Sequence, residues 1–365
     1  MKHRVLAILV ALSMIVSLAA CSQKEEPSAA GSAVQAEESA ARLFTDSTGR
    51  TVEVPGTIEK VAVSGPLAQI MLFALCPEKL VGIATEWSAE AEQYLDTEYY
   101  ELPVLGQLYG GKGELNLETL LASGAQVVID VGEPKDTVAE DLDALQAQTG
   151  IPFLHITATT ATTGDAYRML GELLGLEEEA ETLAVYCDSV LAQTKTLADS
   201  VDKVNALYIT GAEGHHVIAR DSYHSEIMDL MTNNLAVVES PSSKGTGNEV
   251  GLEQIMTWDP EVIIFSDQSI YDTVASDPVW AAVSAIQTGR YYEVPFGPYN
   301  WMGFPPSVQR YLGMLWLGEL LYPETADYDL YEEAKTYYDL FYHCELTEAQ
   351  YQELVENSIG KAEKP

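Results

Sequence analysis

The stretch that decides the fold reads EEEAETLAVYCDSVLAQTKTLADSV and runs from Glu177 to Val201. Its apolar and small residues recur every three or four positions, which makes one continuous helical stripe. Three glutamates stand in the first turn, where negative charge suits the helix dipole. A helix of about 25 residues spans about 37 Å, comparable with the width of a small domain. The spacing therefore predicts one long helix that can join two lobes.

The sequence on either side of this helix repeats one unit. The segment Leu117 to Ile129 aligns without a gap with Leu252 to Ile264, 135 positions later, which matches the Leu-Glu pair, the apolar helix positions and the buried-strand run. A second match follows in the same order, because Gln148-Thr149-Gly150 precedes one apolar strand and Gln287-Thr288-Gly289 precedes another. Two matches in one order predict duplicated α/β lobes.

Length and composition agree with this organisation and limit the partners. With 365 residues and 47% hydrophobic content, the chain is large enough for two domains with a core each. Alternating strands and helices imply mainly parallel sheets covered on both faces. The formal net charge of −37 argues against a nucleic-acid backbone as partner. It does not by itself indicate a cationic ligand, because acidic surfaces mostly serve solubility.

The N-terminal residues are typical of a secreted, anchored protein. Basic residues precede an apolar run from Val5 to Ala20, which is short for a membrane span of about 20 residues and fits a secretory signal. Leu18-Ala19-Ala20-Cys21 resembles the lipobox of bacterial lipoproteins, in which the cysteine is lipidated and becomes the mature N-terminus. The alternative is an ordinary signal peptide with an incidental cysteine. The polar stretch that follows has no apolar period and predicts a flexible tether.

The predicted organisation divides the chain into six segments. Phe44 to Pro55 alternates around an Asp…Gly turn and predicts a hairpin that opens the first lobe. Further strands are predicted at Val61–Ser64, Leu80–Ala84, Ile151–Ile156, Asn205–Thr210 and Tyr291–Val294. The segments are a signal peptide (1–20), a tether (21–42), a first lobe (43–164), linking helices that include the bridge (165–201), a second lobe (202–343) and a helical tail (344–365).

These features together resemble a known family, the substrate-binding proteins of ABC importers for iron siderophores, haem and cobalamin. The resemblance rests on the lipobox, the Asp46-Ser47-Thr48-Gly49-Arg50 motif, the two Leu-Glu units, the long helix, and Asn300-Trp301 ahead of Pro305-Pro306-Ser307. It implies an α/β fold of two Rossmann-like lobes bridged by a single long α-helix. It also implies that ligand binds in the cleft between the lobes, in keeping with the rule for open α/β sheets.

The resemblance implies partners and a location as well. These are an ABC permease with its ATPase, and a site outside the cytoplasm where a lipid on Cys21 holds the protein to the membrane. Family members dock through one glutamate on each lobe, and the matching positions are Glu118 and Glu253. Symmetric charges on two lobes would orient a weak, reversible encounter. The alternative is that each carboxylate only stabilises the first turn of its helix.

Four residues of the first lobe are candidate ligand contacts: Ser64, Gly65, Trp87 and Tyr109. The first two stand where a strand gives way to a helix, so their backbone N–H groups would suit an anion. The two aromatic residues correspond to ligand-facing aromatics in cobalamin-binding relatives, and such rings stack on large, flat ligands. The alternative for each aromatic residue is packing in the core of the lobe.

Five residues of the second lobe are further candidates: Arg220, Tyr223, His224, Asn300 and Trp301. The first three would receive a negatively charged ferric complex, since the fork of an arginine matches carboxylates and oxyanions. The last two would close the cleft. Many relatives carry a basic residue near the position of Phe304 and this chain does not, although Arg310 lies close in sequence.

No motif in the chain predicts a resident cofactor or metal. The glycine-rich loop from Tyr109 to Gly113 lacks the Gly-Lys-Ser/Thr ending of a phosphate loop. His215 and His216 are adjacent on a strand and would point to opposite faces, so we interpret them as surface or loop residues. Once Cys21 is lipidated, three cysteines remain, an odd number without metal spacing, which predicts buried free thiols.

The resulting hypothesis is a binding protein without enzymatic activity that captures an iron(III) chelate of the siderophore type and delivers it to the permease. Within the same class, cobalamin, haem, and molybdate or tungstate are alternative ligands. A compact oxyanion would need a ring of N–H and hydroxyl donors, whereas a chelate needs aromatic and arginine walls. An enzyme on a related two-lobed metallocofactor fold is the alternative of another class, although no nucleophile-base pair, zinc spacing or cofactor fingerprint supports it.

Overall fold

The described residues of this computed structural model, 40–109 and 114–358, form two lobes on either side of one long helix. The signal peptide, Cys21 and almost all of the tether predicted above lie outside them. Among the residues described, no helix is both long enough and apolar enough to span a membrane. The predicted lobe boundaries at 43–164 and 202–343 stay predictions.

The first lobe precedes the long helix and is built around a small parallel sheet. Its elements are β1 (Arg42–Thr45), β2 (Thr51–Val54), β3 (Val61–Val63), α1 (Pro66–Leu75), α2 (Thr97–Tyr100), α3 (Leu117–Ser123), β4 (Val127–Gly132), α4 (Val138–Thr149), β5 (Phe153–Thr157), α5 (Thr163–Leu174) and the long helix itself, α6 (Glu177–Ser200).

The second lobe follows the long helix and ends in a set of helices. Its elements are β6 (Asn205–Thr210), β7 (His216–Val217), α7 (Glu226–Met231), β8 (Asn233–Asn234), β9 (Asn248–Glu249), α8 (Leu252–Trp258), β10 (Val262–Phe265), α9 (Tyr271–Val274), α10 (Ser284–Gln287), β11 (Tyr291–Glu293), α11 (Gln309–Leu321), α12 (Leu330–Tyr342) and α13 (Glu348–Leu354).

The predicted bridging helix is confirmed as one continuous helix. It ends at Ser200, and Val201 is extended with φ −118° and ψ 153°. Its buried face packs on α5 of the first lobe and on α7 and α11 of the second. That face consists of Ala180, Leu183, Ala184, Cys187, Val190, Thr194, Leu197 and Ala198. The long helix therefore contributes to the packing of both lobes, as its stripe predicted.

The first sheet is parallel, in the order β3-β4-β5, and β4 is buried along its whole length. The antiparallel hairpin of β1 and β2 precedes it, as predicted. The predicted strand at Leu80–Ala84 is wrong, because its two ends pair with different partners. The N–H of Val81 donates to the carbonyl of Val61, whereas that of Ile83 donates to the carbonyl of Pro103. The segment therefore forms no continuous hydrogen-bond ladder with a single neighbouring strand, and only isolated β-bridges occur.

The second sheet has a parallel centre and an antiparallel edge. Its strands lie in the order β11-β10-β6-β7-β9, with β8 beside β6. β10 runs parallel to β6 and to β11, whereas β7 is antiparallel to both of its neighbours. The sheet is thus mixed but mainly parallel, since three of its five strand pairings are parallel, in keeping with what strand-helix alternation predicts.

The predicted repeat is visible in the backbone. α3 and α8 are both seven residues long, start 135 positions apart and lead into β4 and β10, which start at the same offset. Both helices end at a left-handed residue, Gly124 (φ 70°) and Asp259 (φ 42°). Gly150 and Gly289, which close the second pair of matching motifs, are also left-handed. These turns share backbone geometry, and duplication of the α/β unit accounts for it.

The Asp46–Arg50 motif fixes the hairpin to the first sheet. The carboxylate of Asp46 is fully buried and accepts hydrogen bonds from the backbone N–H groups of Thr48, Arg50 and His155. The guanidinium of Arg50 donates to Asp46 and to the carbonyl of Phe153 in β5. Its other edge reaches Asp143 on α4, whose side chain is 69% exposed. One buried ion pair therefore joins the hairpin, β5 and α4.

We expect Asp46→Ala to lower the free energy of unfolding by about 3–5 kcal/mol, because it leaves Arg50 and several N–H groups buried without their acceptor. The matched control, Asp143→Ala, removes the exposed partner of the same arginine and should cost at most about 1 kcal/mol. Urea unfolding followed by circular dichroism measures both. Equal losses in the two variants would contradict this account of the motif.

Candidate functional site

A small cavity lies between the two lobes, beyond the carboxyl end of the first sheet. The space in it that can hold the centre of a water molecule is about 10 Å³. That is room for roughly one ordered water. The first lobe contributes Leu67, Met71, Val131, Ala158, Thr159, Thr160 and Thr163, and the second contributes Tyr223, Pro306, Ser307, Arg310 and Tyr311.

Arg310 is the charged residue of this cavity and is only 2% exposed. One of its terminal nitrogens donates to Glu226 and to the hydroxyl of Thr160 at 3.0 Å, and the other donates to the carbonyl of Tyr223. The guanidinium carbon also stands 4.7 Å from the centre of the Tyr223 ring. Burial lowers the pKa of Arg310, while the nearby Glu226 favours its charged form. Because Thr160 belongs to the first lobe, these contacts join the lobes at the cavity.

Two polar atoms of the cavity residues are buried and have no hydrogen-bond partner in the described part of the chain. They are the hydroxyl of Ser307 and the Nε of Arg310. A buried donor that makes no hydrogen bond is unusual in native proteins and costs free energy until a partner arrives. The hydroxyls of Thr160 and Thr163 stand close by, bonded to Glu226 and to the carbonyl of Thr159. The two donors without a partner, the Ser307 hydroxyl and the Arg310 Nε, are therefore the ones suited to an oxygen-rich anion.

An aromatic group stands beside the cavity. The ring of His224 makes edge contacts with Tyr223 (5.8 Å) and with Phe304 (6.4 Å), and Phe304 is 48% exposed. Burial lowers the pKa of His224 to about 4, helped by the positive charge of Arg310. The imidazole is therefore neutral at physiological pH, and Arg310 supplies the positive charge next to it.

The first-lobe candidates are mostly engaged in the lobe itself. Ser64 is 1% exposed and its hydroxyl donates to Asp130, while Gly65 beside it has an extended backbone and begins α1. The indole N–H of Trp87 donates to the carbonyl of Tyr99, and its ring packs on Phe73 at 5.2 Å. Trp87 thus packs in the core, the alternative considered above.

Tyr109 is half-buried and stands at one end of the segment 110–113, which is outside the described residues. Its hydroxyl donates to Asp141 at 2.8 Å, and the ammonium of Lys135 lies 3.9 Å from the centre of its ring. It does not line the cavity. A ligand contact for Tyr109 stays a prediction.

The second-lobe candidates divide into two groups. Tyr223 lines the cavity, and the ring of His224 contacts the ring of Tyr223 beside it. Arg220 instead donates to the side chain of Asn233 and to the carbonyl of Asn234, which ties a loop to β8. Asn300 is fully buried and donates to Asp267 at 2.8 Å, and Trp301 is 1% exposed. These three side chains support the lobe and do not line the cavity.

Sequence reasoning missed most of the polar residues that line the cavity. Thr159 and Thr160 follow β5 directly, at the strand end where α/β folds bind ligands, and this was the available signal. Arg310 was considered only because it follows Phe304 closely. Gly303 is left-handed (φ 90°), and a Cβ there would stand 2.7 Å from the Nε of Arg310. The backbone N–H of Arg310 donates to the carbonyl of Ser307 at 3.1 Å, so the two residues are adjacent at the start of α11.

A buried serine-aspartate-histidine group lies in the first sheet but is not arranged for nucleophilic catalysis. Asp130 accepts from the hydroxyl of Ser64 and is bonded to the Nδ1 of His155 at 2.7 Å. The serine is therefore bonded to the carboxylate, whereas a nucleophile needs the histidine as its base. Ser64 and His155 are each 1% exposed, so a substrate has no access to them.

The remaining histidines and cysteines form no metal site within the described residues, where no group of three potential ligands occurs. The side chain of His215 is 45% exposed and lies near Glu213, and His216 is half-buried in β7. Cys76, Cys187 and Cys344 are free thiols, as predicted, although Cys344 is only partly buried.

The two candidate docking residues occupy matching places. Glu118 and Glu253 are exposed in the first turns of α3 and α8, and neither forms a salt bridge with another described residue. α3 has a capping side chain, since Asn116 accepts from the N–H groups of Glu118 and Thr119, whereas α8 begins at Gly251 without one. The two glutamates are therefore available to a partner.

Comparison with known proteins identifies relatives over most of the chain. The family model for periplasmic binding proteins matches residues 71–297. The molybdate-binding protein MolA of Haemophilus influenzae is 25% identical over 335 residues, which cover 82% of this chain and 91% of MolA. Two solved structures are similar across nearly their whole length. An ABC transporter solute binding protein from Sulfurospirillum deleyianum shares 29% identity and a TM-score of 0.79 over 86% of this chain and 99% of its own. A periplasmic solute binding protein from Veillonella parvula shares 26% identity and a TM-score of 0.74 over 88% and 98%.

The neutral state of His224 predicts a pH dependence. Its folded-state pKa of about 4 is below the ordinary value of 6.5, so the unfolded chain takes up a proton first as the pH falls. The contribution of His224 to stability is therefore present above pH 6.5 and is lost as the pH falls towards 4. We expect His224→Gln to flatten the fall in unfolding free energy across this range. Titration of the His224 ring by NMR near its ordinary pKa would contradict the assignment.

Proposed function

The chain belongs to the periplasmic binding protein family and is the substrate-binding component of an ABC importer, and we propose that it captures a compact tetrahedral oxyanion, molybdate or tungstate. Membership of this family places it outside the cytoplasm and among solute binders that carry out no chemistry. The ligand, its contacts, the lipid anchor and the docking residues are parts of the proposal.

The observation that carries the oxyanion is the pair of unpartnered donors in the cavity. The hydroxyl of Ser307 and the Nε of Arg310 are buried without acceptors among the described residues, and a dianion would supply acceptors to both. Hydrogen bonds to charged acceptors are about twice as strong as neutral ones. The charge of Arg310 is already offset by Glu226, so neutral hydroxyls have to provide much of the binding. The hydroxyls of Ser307 and Thr159 are placed to do so, whereas those of Thr160 and Thr163 already donate to Glu226 and to the carbonyl of Thr159.

The size and lining of the cavity also favour a small ligand. Sites for drug-sized molecules measure about 300–1,000 Å³, whereas the space here that can hold the centre of a water molecule is about 10 Å³, so the lobes have to part less for a compact oxyanion than for a large chelate. Trp87 and Trp301, which would have formed stacking walls for a large chelate, are packed in the lobes. The molybdate-binding relative adds support, since its alignment with this chain covers most of both proteins.

An iron(III) chelate remains the second candidate, and one observation favours it. Phe304 is 48% exposed and forms an aromatic wall with His224 beside the cavity. A flat or catecholate-bearing ligand would stack on such a wall if the lobes opened further. The predicted contacts at Tyr109 and Arg220 belong to this candidate.

Lipidation of Cys21 is the proposed means of keeping the protein at the membrane. The apolar run ending in Leu18-Ala19-Ala20 and the polar stretch after it support this anchor. Mass spectrometry of the mature N-terminus distinguishes a lipidated Cys21 from an unmodified one.

For the ligand, we expect molybdate and tungstate to bind the chain that starts after Cys21, measured by isothermal titration calorimetry. Ser307→Ala should weaken this binding about tenfold to a hundredfold, because a hydrogen bond to a charged group is lost. The unfolding free energy should not fall, since the hydroxyl has no partner among the described residues.

The matched control is Ser358→Ala, which removes another buried, unpartnered hydroxyl that does not line the cavity. It should leave oxyanion binding unchanged. Binding of ferric catecholates or hydroxamates without any heat from molybdate or tungstate would replace the first candidate with the second. No binding of either class, or of haem and cobalamin, would refute both.

For docking, we expect Glu118→Arg combined with Glu253→Arg to abolish uptake of the ligand while leaving its affinity unchanged. The reason is that neither carboxylate lines the cavity and both would meet positive charges on the permease. The control is Glu140→Arg with Glu348→Arg, which reverses two exposed first-turn glutamates on other helices. Uptake of labelled ligand by cells carrying each variant is the measurement. Normal uptake by the first pair would contradict the docking assignment.

A further inference from the structure

Two exposed apolar side chains occupy equivalent positions in the lobes. Leu121 on α3 is 52% exposed and Met256 on α8 is 41% exposed, and they stand 135 positions apart, the offset of the repeat. Both follow a residue that is fully buried, Leu120 in one helix and Ile255 in the other. Among the large apolar residues exposed in the described chain, no other two are related by this offset.

Each of these side chains lies beside a candidate docking glutamate. Leu121 follows Glu118 by three positions and Met256 follows Glu253 by three, and residues with this spacing are neighbours on one helix face. The sequences of the two helices, LETLLAS and LEQIMTW, contain no basic residue that could compete for the carboxylates. Each lobe therefore presents one negative charge next to one apolar side chain.

Single exposed apolar residues are normal on protein surfaces and need no explanation. The repetition is what distinguishes this pair, because both the carboxylate and the apolar neighbour recur at the same backbone positions in two lobes whose sequences have otherwise diverged. A carboxylate and an apolar side chain that are exposed in the same arrangement on both lobes fit a partner that is itself made of two similar halves.

We propose that Leu121 and Met256 are apolar contacts of the docking surface, and that each half of a two-fold symmetric permease presents a cationic side chain beside an apolar pocket. The inference rests on the proposed function, which assigns docking to Glu118 and Glu253. The carboxylates of a chain with net charge −37 steer and orient the encounter. The apolar side chains, once removed from water, prolong the bound state.

The division of roles makes the test specific. The partner for the test is a detergent-solubilised permease–ATPase complex, chosen because the chain stimulates its ATP hydrolysis. Bio-layer interferometry measures the association and dissociation rates of the full-length chain on this complex, without added ligand and at several salt concentrations. Leu121→Ser with Met256→Ser should weaken binding about tenfold or more, mainly through faster dissociation and with unchanged salt dependence. Glu118→Arg with Glu253→Arg should instead slow association and remove its salt dependence.

The matched control is Val185→Ser with Val237→Ser, which trims two other exposed apolar residues, and it should change neither rate. Unchanged denaturation midpoints show that all variants are folded. If the glutamate variants lose binding while the Leu121 and Met256 variant keeps its dissociation rate, the apolar contacts are refuted and the docking glutamates stand. If only one of the two apolar positions matters, the symmetric arrangement is refuted. If the glutamate variants also bind normally, the assignment of this surface to docking is refuted.

Discussion

The structure of the cavity depends on one constraint: the buried guanidinium of Arg310 needs hydrogen-bond and ion-pair partners. Arg310 is 2% exposed, and the cost of burying its charge is offset only if its donors are satisfied. Glu226, the carbonyl of Tyr223 and the hydroxyl of Thr160 satisfy most of them, and Tyr311 adds a hydrogen bond to the carbonyl of Thr160 at 2.8 Å. These contacts fix the loop after β5 against the start of α11. The donors left over are thereby held in place before any ligand arrives.

Much of the fold was predictable because its signals are local. The stripe of α6 can be read from residues near one another in sequence, and the repeat of α3 and α8 from two short segments that align without a gap 135 positions apart. The segment from Leu80 to Ala84 was not predictable in this way. Its residues are as apolar as those of a strand, and only the residues it pairs with decide whether a strand forms. The antiparallel edge at β7 has the same cause, because two residues carry no pattern of their own.

The site was harder to predict than the fold, and the reason is chemical ambiguity. Tryptophan suits a stacking platform and a core equally well, so only burial assigns Trp87 and Trp301 to the lobes. Tyr223 and His224 were identified because their types suggest ligand contact. Threonine and serine are common on every surface, which leaves Thr160 with only its place after β5 as a signal and Ser307 with none until the folded chain brings both to the cavity of Arg310.

The three free cysteines of the described chain have a practical consequence. Burial raises the pKa of the Cys76 and Cys344 thiols to about 12, and it raises that of Cys187 well above its ordinary value. Because the thiolate is the reactive form and needs access to its reagent, the two fully buried thiols, Cys76 and Cys187, react slowly while the protein is folded. Cys76 follows α1 and Cys187 lies in α6, so the rate at which an alkylating reagent modifies each of them reports how often that part of the molecule opens.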